Sequence, residues 1–519
     1  MTDFILKIKK DFINKKTCLL LLSTFLFGVL IYIVLISNDL TNQYDGLWVD
    51  SYYYCGNWEL SNGRWLWRYI DMLKQGHNAN PLNSYLALMI FSIGNILLVE
   101  SIGFKRNFSK YFVCFGILTT TTICCFLSYR YLAEKYAISY LFSVLAAYVL
   151  INYKNKYVGI FISSISYMMS LASYQSEVSC FCIIIITFLL TDYFSDKFDI
   201  KNHLMLIIEA VLVIVIGSLL YKVSWDIMSQ IYNTPPSSYK GGNSLSIGNM
   251  ILNIPKNIFS TYKYFYNYFC GHFKINIFQN KLFYLIYFVL ITYFVLIIIK
   301  HKTIFFYPII LILLLPVACN FSVLYIDSGV KIQQTIGTSI ITFILITLVY
   351  EINTKEELLN KIYKYSLYVL SIILLVGNIF AVENDIEAMK IGKQSTSSLL
   401  SSISNTLLEK DLYDEKKIYC FVGKPCNNAL FRANELWGNS NDYARFGDFD
   451  MSCFANTHSF IGLFENDIRI NYKIEYPENI YEVANKMTAY PERGSITEIG
   501  NFVIIKLSSD ECNKDIKME

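Results

Sequence analysis

Charge is scarce in this chain. Of its 519 residues, 16% are Asp, Glu, Lys or Arg, against about 25% in an ordinary soluble domain. Hydrophobic residues make up 54%, and the mean hydropathy is +0.39. This balance excludes a wholly soluble enzyme, a disordered chain and a single-span receptor. Histidine is scarcer still: His77, His203, His272, His301 and His458 are scattered, without the spacing of zinc ligands. No Gly-x-Ser-x-Gly elbow occurs, and no nucleotide-binding fingerprint. The Gly241-Gly242 pair lacks Walker spacing and a preceding strand, so it reads as a turn. Basic residues are dispersed between apolar runs, which argues against a nucleic-acid partner. No small-x-small site precedes Asn38, so the first apolar run reads as a retained signal anchor.

What is present divides into two parts. Residues 1–381 hold 48 of the 85 charged side chains, with a net charge of +10, and residues 382–519 hold 37, with a net charge of −7. The first part has a membrane composition and the second a soluble one. A membrane helix needs about 20 mostly apolar residues. Eleven runs qualify: 17–37, 83–103, 111–129, 136–153, 157–173, 178–194, 204–221, 282–299, 303–319, 334–350 and 365–381. The pair around 157–194 also fits a re-entrant element. Seventeen basic residues fall in six short segments on one side, from Lys7 to Lys16, at Lys105 to Lys110, Lys154 and Lys156, Lys197 and Lys201, Lys300 and Lys302, and Lys355 to Lys364. By the positive-inside rule that side, and the N-terminus, are cytoplasmic. Eleven spans then place 382–519 outside. The expected fold is an α-helical polytopic membrane protein of about eleven transmembrane helices (1–381) with a small extracytoplasmic α/β domain (382–519).

The first outer loop, 38–82, holds Asp39, Asp45, Asp50, Glu59 and Asp71, and four of the six tryptophans, Trp48, Trp58, Trp65 and Trp67. Residues 64–75 place Trp65, Leu66, Tyr69, Ile70 and Leu73 on one stripe, with Arg64, Arg68, Asp71 and Lys74 on or near the other face. This is the pattern of an interfacial helix, or equally of an amphipathic cap on a bundle. Asp39 follows the first apolar run by two residues. A carboxylate at that boundary suits a general base, although a turn residue is the plainer reading from position alone.

Asn38-Asp39 after the first span, Gly63-Arg64-Trp65 in the first loop, and Tyr174-Gln175-Ser176 at the end of the fifth span resemble the bacterial serotype-converting glucosyltransferases of type II. The closing run Tyr490-Pro491-Glu492-Arg493-Gly494-Ser495-Ile496, followed by Phe502 to Leu507, is similar to that family's ending. The resemblance implies a GT-C class membrane glycosyltransferase that moves a sugar, glucose by analogy, from a polyprenyl-phosphate carrier to a surface glycan such as O-antigen on the outer face. It implies catalytic acids in the outer loops: Asp39 first, then Asp45 and Glu59.

Such a transfer needs a carboxylate to take the acceptor proton and cations to hold the phosphate leaving group. Arg64, Arg68, Arg130 and Lys331 are the candidate cations. Arg130 also reads as a snorkelling anchor. Gln175 belongs to the Tyr-Gln-Ser motif, and Glu177 is an acid at the start of an apolar run, where charge is costly and a functional candidate by default. It could orient the sugar or help a divalent metal; no cofactor is otherwise called for. Glu209, inside a span, reads as a buried acid with an interhelical partner. The 222–281 loop carries a dense aromatic run from Tyr262 to Phe273, which reads as a sugar-stacking surface or as a helix packed on the bundle. The rival functions are a transporter or flippase of lipid-linked sugars, against which no internal repeat is visible, and an inactive scaffold or receptor.

In the tail, 396–410 and 479–489 read as helices, and Lys417 to Val422 and Asn501 to Leu507 as strands. Cys420, Cys426, Cys453 and Cys512 allow one or two disulfides in an outer domain, with the pairing open. The nine cysteines before residue 382 read as small hydrophobes.

Overall fold

The computed structural model describes residues 14–43, 46, 52–195, 198–237, 247–270, 277–301, 306–324, 331–352, 358–448, 451, 470–472 and 477–509. The protein is mostly helical (74%) with a small C-terminal sheet. The chain divides into two compact units. The first comprises Met1–Ile33, Ser51–Leu127 and Leu132–Val382; the second comprises Val34–Asp50, Ser128–Tyr131 and Glu383–Glu519.

Among the described residues the apolar runs of the sequence fall on helices, with 111–129 divided between two of them. Among the described residues, seven helices are long and apolar enough to cross a membrane, or eight if the pair Asn107–Leu118 and Thr121–Ser128, bent by 48°, is one span. Phe306–Cys319 and Ile336–Ile352 are shorter apolar helices. Leu82–Ile102 packs on Ala133–Asn152, that helix on Lys156–Ser173, and that in turn on Ile200–Ile231. Small polar residues hold these contacts. Ser139 Oγ donates to the carbonyls of Ser170 and Tyr174, each at 2.9 Å, and Ser163 Oγ to that of Ala146 at 2.8 Å. Short hydroxyls allow close helix approach and bond across it where lipid offers no partner. Ile200–Ile231 turns Leu204, Ile208, Val211, Val215 and Leu219 outward, an apolar face suited to lipid. Glu209 finds its interhelical partner in Lys156, 3.0 Å away.

The region read as the 222–281 loop contains more helix than expected. Ile200–Ile231 runs well past its apolar core, and Ile247–Cys270 is a further helix that carries Pro255 within it. Residues 239–243 lie outside the described residues.

The second unit is built on the C-terminal part of a 52-residue helix, Leu358–Glu409. Its sheet has the order β2-β1-β4-β3, formed by Asn471–Tyr472 (β2), Ile418–Val422 (β1), Phe502–Lys506 (β4) and Ile496–Ile499 (β3). β1 pairs parallel with β2 and β4, and β3 pairs antiparallel with β4. Tyr419, Phe421, Val503 and Ile505 face Leu399, Leu400, Ile403 and Leu407 of the long helix. Ile418, Cys420, Val422 and Ile504 face Ile480 and Ala484 of the helix Glu478–Lys486. Both faces of β1 are therefore covered, which matches its unbroken apolar run. Cys420 and Cys426 are thiols not joined to one another, and the Cys426 Sγ lies 3.4 Å from Asp448 Oδ1. Cys453 and Cys512 lie outside the described residues.

Candidate active site

In the first unit, Gly63-Arg64-Trp65 and Tyr174-Gln175-Ser176 meet. The Arg64 guanidinium lies over the Trp67 ring at 4.8 Å and over the Tyr174 ring at 5.4 Å. Gln175 Nε2 donates to the carbonyl of Asn62 and to the Tyr221 hydroxyl, both at 3.0 Å. Gly63 sits at φ +77, and a Cβ there would stand 2.0 Å from the Tyr221 hydroxyl oxygen. Gly63→Ala therefore combines left-handed strain with a steric overlap. We expect it to lower stability by about 1–3 kcal/mol, read as an earlier thermal unfolding transition in detergent.

The helix Leu66–Leu73 is an amphipathic cap: most of its apolar stripe is buried, and it packs on Lys156–Ser173. Leu66, Trp67, Ile70 and Asp71 are buried, and Tyr69, Met72 and Leu73 are exposed. Of the charged residues on this helix Asp71 is the fully buried one, and it meets partners there. Asp71 Oδ1 lies 2.7 Å from Lys135 Nζ, and Asp71 Oδ2 accepts the Cys55 amide at 2.9 Å. Lys74 Nζ donates to Glu134 at 2.5 Å and to Asn78 Oδ1 at 2.9 Å. Burial lowers the Lys74 pKa against the pull of Glu134. Trp65 and Trp67 are buried too, and Trp67 Nε1 donates to Ser173 Oγ at 3.2 Å.

Glu59, a candidate acid, is 3% exposed, and both its oxygens are engaged. The Tyr53 hydroxyl donates to one at 2.5 Å and the Gly56 amide to the other at 2.9 Å. It closes the N-terminus of the short helix Asn57–Ser61, and burial together with its charge raises the Tyr53 pKa. Glu177 is fully buried in the 3-10 turn Gln175–Val178, and neither of its oxygens has a hydrogen-bond partner among the described residues. Arg68 stacks on Tyr232 at 3.8 Å. Lys331 caps the turn Ile332–Gln334, its amide donating to Gln334 Oε1 at 3.0 Å. Asp45 lies outside the described residues.

In the second unit, Asp39 and Arg130 form an ion pair, Nη1 to Oδ2 at 2.9 Å. The Asp39 side chain is 40% exposed and that of Arg130 13%. Asp39 has φ +47, in the left-handed region that Asp and Asn tolerate better than other side chains. Lys393 Nζ donates to the carbonyls of Asn38 and Asp39, at 3.1 and 3.0 Å. Lys393 escaped the sequence reading because it lies 354 residues from Asp39. A lysine just beyond an apolar helix was the only signal. The arrangement is an accessible carboxylate with a guanidinium and an ammonium at its side, which can take a proton and hold an anion. Among the described residues no group of three or more His, Cys, Asp or Glu could hold a metal ion.

The family model described as Glucosyl transferase GtrII matches residues 47–376. Glu59, Arg64, Arg68, Arg130, Gln175, Glu177 and Lys331 fall within that segment, Asp39 precedes it and Lys393 follows it. No curated protein and no solved structure matches the chain. With 330 of its 519 residues matched, the protein belongs to the GtrII glucosyl transferase family.

Proposed function

We propose that this glucosyltransferase takes glucose from a polyprenyl-phosphate carrier and transfers it to a surface glycan, O-antigen or similar, on the outer face of the membrane. In this reading the protein is a polytopic GT-C enzyme of eleven spans, with a cytoplasmic N-terminus and an outer soluble domain from 382 onward. Asp39 takes the proton of the acceptor hydroxyl as its oxygen bonds to C1 of glucose. The C1–O bond to phosphate breaks, and polyprenyl phosphate leaves with its charge held by Arg130 and Lys393. The observation that carries this is the contact set of Asp39, Arg130 and Lys393. Among the described candidate acids Asp39 is also the accessible one: Glu59 and Glu177 are buried, and Glu59 is engaged as a cap. Arg64, Arg68, Gln175 and Lys331 are proposed as substrate-binding groups of the first unit.

The donor is tested with purified protein, a glycan acceptor and either polyprenyl-phosphate glucose or a nucleotide glucose. We expect glucosylated glycan with the lipid donor alone. Equal transfer from the nucleotide sugar would refute the proposed donor.

A further inference from the structure

Asp385 lies in the second unit, fully buried on the helix Leu358–Glu409. Its carboxylate accepts three hydrogen bonds. The Asn441 amide donates to Oδ1 at 2.7 Å; Asn441 Nδ2 and the Tyr443 hydroxyl both donate to Oδ2, each at 2.8 Å. A buried carboxylate is retained at such a place only when its oxygens are satisfied, and here every one of these donors comes from two residues of one turn. That turn offers its carbonyls to a third segment. The Gln43 amide donates to the Tyr443 carbonyl at 2.9 Å, and Gln43 Nε2 to the Asp442 carbonyl at 2.6 Å. Next to Gln43, the Asn42 amide donates to the Ser128 carbonyl at 3.3 Å and Asn42 Nδ2 to Ser128 Oγ at 3.1 Å, two residues before Arg130. The segment that bears Asp39 is thus clamped from both sides, and one clamp ends on Asp385.

We infer that Asp385 is a positioning residue for the transfer reaction. It fixes the 441–443 turn, which through Gln43 sets the 38–43 segment and with it the Asp39 carboxylate. This rests on the assignment of Asp39 as the base. Asp385 itself touches neither Asp39 nor substrate in this scheme. Its effect comes through geometry, where a shift of about 1 Å costs on the order of 10²-fold in rate.

The test uses the full-length protein and three variants: Asp385→Asn, Gln43→Ala and the two combined. Asp385→Asn keeps an acceptor for the Asn441 amide but turns an amino group toward the Asn441 and Tyr443 donors. Each single variant should lose about 10–100-fold in kcat, with the donor KM within about twofold. The combined variant should be no slower than the slower single, because both changes cut one link. Destabilisation of the domain alone would make the two effects multiply, and multiplicative losses would overturn the inference. Wild-type kcat in Gln43→Ala would overturn it too, and that variant serves even where Asp385→Asn fails to fold. Asp39→Asn, assayed in parallel, separates the failures. An active Asp39→Asn sinks the base assignment. An inactive one beside a fully active Asp385→Asn sinks this inference alone.

Discussion

Asp39→Asn is expected to lower kcat by about 10²–10⁴-fold, the usual worth of a positioned general base, while the protein remains folded. The replacement isolates the chemistry. Asn is as tolerant of the left-handed φ of +47 as Asp, and it keeps the side-chain shape. The carboxylate lost is 40% exposed, so its ion pair with Arg130 contributes at most about 1 kcal/mol to stability. The Lys393 hydrogen bonds go to backbone carbonyls and survive the substitution. Glu59→Gln is the matched comparison. It retains an acceptor for the Tyr53 hydroxyl, so it should change kcat only a few-fold while weakening the cap. Comparable losses in the two variants would mean that burial is a poor guide to which acid reacts here.

Lys135→Met is expected to have the largest effect on stability. Lys135 and Asp71 are both fully buried, 2.7 Å apart. Removal of the ammonium leaves buried Asp71 with the more distant Lys74, 3.9 Å away, as its remaining cation, and breaking a buried pair costs about 3–5 kcal/mol. The loss should appear as low yield and an early unfolding transition in detergent. Removing both charges, in Lys135→Met with Asp71→Asn, should recover part of it, since the desolvated charge is then gone. A single variant as stable as wild type would show that water or a rearranged Lys74 replaces Lys135.

The two variants probe different levels of what the sequence makes legible. Apolar runs gave helices in their places, because a run of that length has few other ways to satisfy its backbone in lipid. The strands Ile418–Val422 and Phe502–Lys506 were legible from their β-branched and aromatic runs, whereas Asn471–Tyr472 and Ile496–Ile499 were not. For Leu66–Leu73 periodicity left two readings open, an interfacial helix and a cap on the bundle, and the buried Leu66 and Ile70 select the cap. Periodicity did not show that Asp71 is buried as well, because its partner Lys135 comes from a distant helix. The length of Leu358–Glu409 was missed because Glu383, Asp385 and Glu387 look like an end, yet no proline interrupts the helix, and Gly377 and Gly392 both lie within it. The helix reading of the aromatic run from Tyr262 fits Ile247–Cys270, and Pro255 hid only how far that helix extends toward its N-terminus. At the candidate site, Asp39 and Arg130 were each visible as polar residues at the edges of apolar runs. Their pairing, 91 residues apart, and the arrival of Lys393 depend on tertiary structure that no local pattern records.

The most direct test follows labelled glucose through a single turnover. Purified wild-type protein and Asp39→Asn are each loaded with polyprenyl-phosphate glucose and mixed with glycan acceptor. The proposed mechanism predicts that label leaves the lipid and appears on the glycan with the wild type, and that in Asp39→Asn it stays on the lipid over the same interval. Transfer by Asp39→Asn at the wild-type rate would contradict it.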